Sequence, residues 1–561
     1  MKKLFVSVVF FFLLITPKNI YAQWSNDPNQ NLRISNFGYF VDACEDGMGG
    51  VFVGWKTGNT FYPTVWLQWI DKYGYVKWNT PIHMISEGET QLDFRLVKTE
   101  PGKVIVCFID AREVGMDLPP VPVYSRELII QKIDTSGMLL WGSRGIKITT
   151  KIDKRDTLQK GAVDIVSDGE FGAYATWLDC YGNYYSYDSS IIRMQRIGSE
   201  GQRLWGDEGK YIDSWNNGNA SGSFLGERKP DGVFLLYRKQ NAGNTIVSFN
   251  SDMTTRWVKT NSWYPYNKLI PDENGGAAWA RFVYPAIWDS GFYLAVNRMN
   301  AEGDLLWNDS GIVLERKLPN PGIVVQRLLK NEKLIILYSN YLQMIDRNGQ
   351  LINKYKFFYG DTTKEINGMA IFPSDSSNFI VAWLEKESGI YQYKCQKFNE
   401  ALQRVWTTDI TFSRTTQVDR MFTSDDRGGF IDVFGVYYPD APGILAQQVS
   451  SNGILGEVLT TINNDNIDGT KTFHLSQNYP NPFNPSTIIT FQLPKSGNVT
   501  LKIFDILGNE VKILVNEQKE MGRYTVQFST EGGASSLASG MYVYRLRVND
   551  YISTKKMLLL K

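Results

Sequence analysis

The stretch VWLQWIDKYGYVKW, residues 65–78, reads as an alternating strand, a polar turn with glycine, and a second short strand that ends in tryptophan. The same order returns as LIIQKIDTSGMLLW at 128–141, IIRMQRIGSEGQRLW at 191–205 and YLAVNRMNAEGDLLW at 293–307. Weaker copies are TIVSFNSDMTTRW at 245–257, YLQMIDRNGQLI at 341–352, YKCQKFNEALQRVW ending at 406, and ILAQQVSSNGIL at 444–455. Upstream of each lies another strand-like run, such as GGVFVGW at 49–55, FGAYATWLD at 171–179 and NFIVAWLE at 378–385. The tryptophans at 78, 141, 205, 257, 307 and 406 space the copies at about 50 residues, with early insertions and a double step across the copy that lacks Trp. Eight copies result.

A unit of three or four short strands cannot bury both of its faces, and radial stacking of such units solves this. The period and the aromatic strand ends predict an all-β chain: a β-propeller of about eight blades, with seven blades or a linear β-solenoid as the alternatives. The recurrent Trp is expected between neighbouring blades. The strand at 33–42, before Asp46-Gly47, is expected to complete the last blade, close the ring and protect two sheet edges. No window sustains a helical period, so helices are expected to be nearly absent.

Composition narrows the function. The chain has 561 residues, 59 Lys plus Arg against 58 Asp plus Glu, 16 Trp, 30 Tyr, 2 His and 4 Cys. The balanced charge gives no drive toward nucleic acid. Two histidines exclude His-rich metal chemistry, and no Walker loop, H-E-x-x-H or G-x-S-x-G motif occurs, so neither cofactor nor metal is expected. Cys44, Cys107, Cys180 and Cys395 lie far apart and read as buried free thiols. Lys2 and Lys3 precede an apolar run from Leu4 to Thr16, and Ile20-Tyr21-Ala22 offers a small-residue cleavage site. Residues 1–22 therefore read as a secretory signal peptide, with no transmembrane segment expected after cleavage.

The polar stretch 461–472 reads as a linker between the propeller region, 23–460, and a C-terminal segment, 473–561. The latter contains five to seven alternating strands between Asn-Pro, Pro-Ser and Gly-Asn turns, as expected of a small β-sandwich. It opens with Asn478-Tyr479-Pro480-Asn481-Pro482-Phe483-Asn484-Pro485, carries Asp505-Ile506-Leu507-Gly508-Asn509 in its middle hairpin, and ends Lys555-Lys556-Met557-Leu558-Leu559-Leu560-Lys561. On these motifs the segment resembles the C-terminal sorting domain of proteins exported by the type IX (Por) secretion system of Bacteroidota-like bacteria, and also the immunoglobulin-like domain of flagellar hook-cap proteins. The resemblance implies an Ig-like β-sandwich, periplasmic transit, engagement of the type IX machinery, and release or surface attachment of the cargo. The N-terminal region resembles the divergent propellers of secreted bacterial proteins, without the Asp-box or WD40 signatures, and that likeness implies no active site.

Binding residues concentrate in the loops of a rigid scaffold. The variable connections at 56–64, 111–125, 181–190, 282–292 and 436–443 are expected on one face, carrying Tyr62, Tyr184, Tyr185, Tyr284, Trp288, Tyr437 and Tyr438. Rings beside Asp110, Asp179, Asp289 and Asp440 suit a glycan or a protein ligand. Three readings stay open: a non-catalytic recognition module on a secreted or outer-surface protein, a polysaccharide-degrading enzyme with a carboxylate or Tyr site, and a structural surface protein. The shared position of Asp110 and Asp179 just past a strand reads as a structural turn. An enzyme would be distinguished by two or more central carboxylates of unequal pKa.

Overall fold

The computed structural model describes residues 24–58, 62–84, 90–117, 121–149, 163–183, 186–216, 221–227, 232–239, 243–252, 254–261, 269–283, 292–308, 310–318, 324–329, 332–357, 364–375, 377–387, 390–414, 418–436, 443–456, 474–475, 478, 483, 486–493, 495–506, 508–519, 522–529, 537–549 and 551–560. The proposed signal peptide and the linker fall outside them. The chain forms two compact units that divide between Leu459 and Thr460. Among the described residues there is no helix, and nine four-stranded antiparallel sheets account for nearly all of the secondary structure.

Eight of these sheets belong to the first unit, one per copy of the repeat. The first comprises Tyr39–Glu45, Val51–Thr57, Thr64–Ile70 and Ile82–His83, paired in chain order. The next six begin at Thr90, Asp164, Ser221, Ile270, Val324 and Lys364 and follow the same meander. The eighth takes Val418–Ser424, Phe430–Val436 and Gly443–Val449 from the end of the unit, and its outer strand, Leu32–Ser35, from the beginning. The strand that completes the eighth sheet is thus shorter than the 33–42 expected. Gly38, at φ +143°, turns the chain, and Tyr39–Glu45 already starts the first sheet.

The repeat is built around its turns. Asp46, Asp168, Asp272 and Asp425 each sit between the first and second strands of a sheet. One oxygen accepts the backbone N–H groups two and four residues on, at 2.7–3.0 Å. The other accepts a side-chain N–H of the third strand at 2.9 Å, from Trp69, Arg196, Arg298 or Gln448. This explains the paired glycines: a Cβ on Gly50, Gly172, Gly276 or Gly429 would lie 2.1–2.4 Å from a carbonyl oxygen of the strand alongside. Asp375 holds a related turn in the seventh sheet, accepting from Ser377 N (3.1 Å), Asn378 Nδ2 (2.8 Å) and Lys397 Nζ (2.9 Å). Burial opposes its ionisation, but these donors outweigh burial and hold its carboxyl at about 2, below the ordinary 3.8. The stabilisation is present above the ordinary value and is lost as pH falls from about 4 to about 2. Asp375→Asn is therefore expected to melt with a shallower pH dependence between 4.5 and 2.5 than the parent chain, as followed by circular dichroism.

The recurrent Trp packs between successive sheets, as expected. The indole N–H of Trp78 donates to Thr135 O (3.0 Å), Trp141 to Ser199 O (3.3 Å), Trp257 to Ala301 O (2.8 Å) and Trp307 to Arg347 O (3.2 Å), each in the turn of the following sheet. In the sixth sheet, where Trp is missing, Asn353 Nδ2 reaches Glu400 O at 3.1 Å instead. A buried glutamine holds four of the six anchors by the backbone. Gln68, Gln131, Gln195 and Gln396 accept the N–H of Trp78, Trp141, Trp205 and Trp406 at 2.9–3.1 Å. Trp55, Trp177, Trp279 and Trp383, on the second strands, are buried against the preceding sheet. Eight apolar clusters follow, each drawing on two successive sheets. The eighth joins the last sheet (Ile431, Val433, Ile444) to the first (Val51, Val53, Trp55).

The second unit has a three-stranded sheet, His474–Leu475, Ser486–Leu493 and Gly522–Ser529, and a four-stranded one ordered Glu510–Lys519, Gly497–Phe504, Gly540–Val548, Tyr551–Leu559. One core draws Ile489, Phe491 and Leu493 from the first and Leu501, Ile503, Tyr544, Leu546, Met557 and Leu559 from the second. The basic apolar C-terminus is therefore the last strand, with Met557 and Leu559 inward and Leu558 between them exposed.

Candidate functional site

Six of the seven rings expected on the loop face, Tyr184, Tyr185, Tyr284, Trp288, Tyr437 and Tyr438, lie outside the described residues. Tyr62 is described and is 44% exposed, between the second and third strands of the first sheet. Two of the supposed long connections are mostly strand. Lys103–Asp117 pairs with Val121–Asp134, and Ala173–Asn183 with Ser186–Ile197, in registers that continue past Asp110 and Asp179. Their Gly and Pro residues read as loop in the sequence, yet Gly115 and Gly182 sit where the ladder shifts register and Pro122 pairs with Met116 near the hairpin tip. Asp179 is accordingly a strand residue and not a turn residue. It accepts from Trp177 Nε1 and Arg193 Nε, both at 2.9 Å. His83 stacks on Trp66 with ring centroids 4.5 Å apart, and burial lowers its pKa.

The described part of this end of the first sheet holds a group that the sequence reading missed. Phe37 is 65% exposed. Phe40 opens the first strand at φ +49°, a conformation that a bulky side chain adopts only under constraint. Its N–H donates to Asp419 Oδ2 at 3.2 Å, in the first strand of the eighth sheet. The Lys56 ammonium lies 4.1 Å from the centre of its ring and the Arg95 guanidinium 5.6 Å. Phe94 meets the ring edge-on at 5.8 Å. Rings and cations from the first two sheets and a carboxylate from the eighth thus converge where the chain enters the first sheet.

The opposite ends of the first strands carry a second polar set. Lys98 Nζ is 3.0 Å from Glu45 and 3.7 Å from Asp426, and Thr423 Oγ1 donates to Glu45 Oε2 at 2.8 Å. Burial works against ionisation of Glu45, but Lys98 and Thr423 hold its pKa below the ordinary value. Burial, with Glu45 as a like charge nearby, raises that of Asp426. Two further carboxylates of the first strands serve the backbone: Asp42 accepts the N–H of Leu96 at 2.8 Å, and Asp164 that of Leu225 at 2.9 Å, each one sheet further on. Cys44, Cys107 and Cys395 are buried free thiols with pKa values raised by burial. Among the described residues no group of His, Cys, Asp and Glu is disposed to hold a metal ion, and no helix is long and apolar enough to cross a membrane.

Comparison with known proteins gives one assignment. Residues 477–560 match the family described as "Secretion system C-terminal sorting domain", so the C-terminal region of this chain is a sorting domain of the type IX secretion family. No curated protein matches the chain. Among solved structures, one titled as the eukaryotic initiation factor is 10% identical and covers 76% of this chain and 89% of its own, at TM-score 0.37. Prolyl oligopeptidase B from Galerina marginata is also 10% identical, covering 71% and 55% at 0.37. A post-proline cleaving enzyme from Rickettsia typhi is 7% identical, covering 81% and 57% at 0.35. Likeness at these scores carries no argument about this chain.

Proposed function

We propose that this protein leaves the cell by the type IX route and presents a closed, eight-bladed β-propeller, residues 23–460, as a non-catalytic recognition module for a glycan or protein ligand. On this reading residues 1–22 are the signal, 461–472 the linker and 473–561 an Ig-like sorting sandwich. The propeller reading is supported by the run of apolar cores from sheet to sheet, which returns from the eighth to the first. Binding at the loop end is carried by one observation: the strained Phe40, between Lys56 and Arg95, beside the exposed Phe37. Strain of this kind persists where the surroundings impose it, and it clusters at ligand sites. Exposed rings stack on the apolar faces of sugars, and the cations and Asp419 suit hydroxyls or charged groups.

Two measurements test these claims. Chain lacking 473–561 is expected to stay in the periplasm while the full chain reaches the medium or cell surface; equal export of both would refute the sorting role. On a glycan array, the mature protein is expected to bind, and Lys56→Ala with Tyr62→Ala to weaken that binding about tenfold or more, a loss of roughly 1.4 kcal/mol or more. Absence of any signal from the parent protein would remove the glycan reading and leave a protein ligand to be sought. The opposed shifts of Glu45 and Asp426 meet one criterion set for an enzyme, but a shared lysine accounts for them as an ion-pair network.

A further inference from the structure

The four-stranded sheet of the second unit buries one face and leaves the other to water. Tyr542, Tyr544, Leu546 and Val548 enter the core, so the alternate residues of their strand, Met541, Val543, Arg545 and Arg547, lie on the outer face. Register sets Leu558 beside Met541 and Lys556 beside Val543 in the last strand, and Phe504 and Lys502 on the other side, opposite Val543 and Arg545. The outer face is thereby divided along its length. At the end where the chain enters Gly540–Val548 it is apolar. Met541 and Leu558 form an exposed pair, Leu560 is exposed two residues beyond, and Ile506, in the turn after Gly497–Phe504, is 72% exposed. Behind this end come Lys556, then Lys502 and Arg545, then Arg547.

Among the described residues of this face, these four cations stand against one carboxylate, Glu510, which pairs with Lys502 at 2.8 Å. The Arg545 guanidinium lies 5.0 Å from the centre of the Phe504 ring. Asp505, next to Ile506, is engaged within its own turn by Asn509 N and Nδ2, both at 2.8 Å. The order of the two zones selects the partner. A protein interface gathers apolar side chains at its centre and leaves charge to its rim. Here cations hold the centre and apolar side chains one end, which is the order in which a bilayer is met from the hydrocarbon outward. At about 3.3 Å per residue, Lys556 stands roughly 7 Å behind Leu558, and Arg545 roughly 13 Å behind Met541. Apolar groups of a surface-bound protein enter the headgroup boundary by about 5–10 Å. That depth sets Lys556 level with the lipid phosphates, and Lys502 and Arg545 within about one Debye length of them.

We propose that this outer face docks on an anionic lipid bilayer, with Ile506, Met541, Leu558 and Leu560 inserted at the headgroup boundary and Lys556, Lys502, Arg545 and Arg547 held over the phosphates. The docking belongs to the second unit alone and does not depend on what the first unit binds.

The test is flotation of the chain of residues 23–561 with vesicles of phosphatidylcholine containing roughly one quarter phosphatidylglycerol, and with vesicles of phosphatidylcholine alone. The chain is expected to float with the anionic vesicles and to bind the neutral ones about tenfold or more weakly. Arg545→Gln with Arg547→Gln and Lys556→Gln is expected to lose about tenfold or more in affinity for the anionic vesicles. Ile506→Ser with Leu560→Ser, both at exposed positions, is expected to lose about fivefold or more. Lys77→Gln with Lys103→Gln and Lys259→Gln removes the same charge from exposed lysines of the first unit and is expected to bind as the parent does. Circular dichroism verifies that each variant is folded. Failure of the parent chain to bind anionic vesicles overturns the proposal, as does equal binding to both kinds of vesicle. So does unchanged binding by either folded variant of the second unit. A loss in the first-unit variant equal to that in the arginine and lysine variant would mean that net charge, and not this face, sets the binding, and would overturn it too.

Discussion

Deletion of residues 24–36 is expected to open the first unit and to drive it into strand-paired oligomers. Leu32–Ser35 is the outer strand of the eighth sheet, so its loss leaves Gly443–Val449 as a bare edge. Trp24 goes with it, and Trp24 supplies what the eighth copy of the repeat lacks. Its indole N–H donates to Lys72 O at 3.2 Å, the turn carbonyl of the first sheet that corresponds to those reached by Trp78, Trp141, Trp257 and Trp307 in theirs. The following residue is held as in the other copies, with Gln447 Nε2 donating to Ser25 O at 2.7 Å, and Asn31 Nδ2 reaches Gln447 Oε1 at 2.9 Å. Trp24→Ala alone, at a site 2% exposed, is expected to cost about 3–5 kcal/mol. Chemical denaturation measures the point variant and size-exclusion chromatography the deletion. Addition of a peptide of residues 24–36 is expected to restore the monomer. A deleted chain that stays monomeric at parent stability would show that this segment is no latch.

Asp432→Ala is expected to destabilise the eighth sheet by about 3–5 kcal/mol, because it strands a buried cation. Asp432 is fully buried and pairs with Arg420. The Arg420 guanidinium is sandwiched 3.4 Å from the centre of the Tyr393 ring and 4.2 Å from that of Phe434, and donates to Ser413 Oγ at 3.0 Å. Burial pushes the Asp432 carboxyl up, against the pull of Arg420. With its anion gone, the guanidinium keeps its stacking but not its charge balance. Replacing both partners, as Arg420→Met with Asp432→Leu, is expected to cost less than Asp432→Ala alone, since no unpaired charge remains. Urea denaturation of the three chains decides this. A double variant as unstable as the single one would mean that packing, and not charge, sets the loss.

Much of the architecture was legible in the repeat. The eight copies, the Trp anchors and the glycines at the turns each report a local requirement: alternation, a buried ring, a turn too tight for a side chain. The buried glutamine of this repeat position was also present in six of the aligned copies, as Gln68, Gln131, Gln195, Gln343, Gln396 and Gln447, but a polar residue in an alternating strand reads as solvent-facing until the facing sheet is known. The extended hairpins at 103–134 and 173–197 were hidden because Gly and Pro indicate breaks in isolation and not the register of a partner strand. The expected loop face was legible only as composition, and of its seven rings only Tyr62 is described.

The sequence by itself determined the repeat copies, their Trp anchors and the match of the C-terminal region to the sorting-domain family, because each of these is written within about 50–90 residues of chain. Tertiary structure alone decided what Trp24, Phe40 and Asp432 meet. Ser25, next to Trp24, meets Gln447 at a separation of 422 residues, and Phe40 meets Asp419 at a separation of 379. No local pattern encodes such pairings. They arise because the first sheet and the last must pack on each other to bury the faces each leaves open, and that packing sets which charges and rings meet.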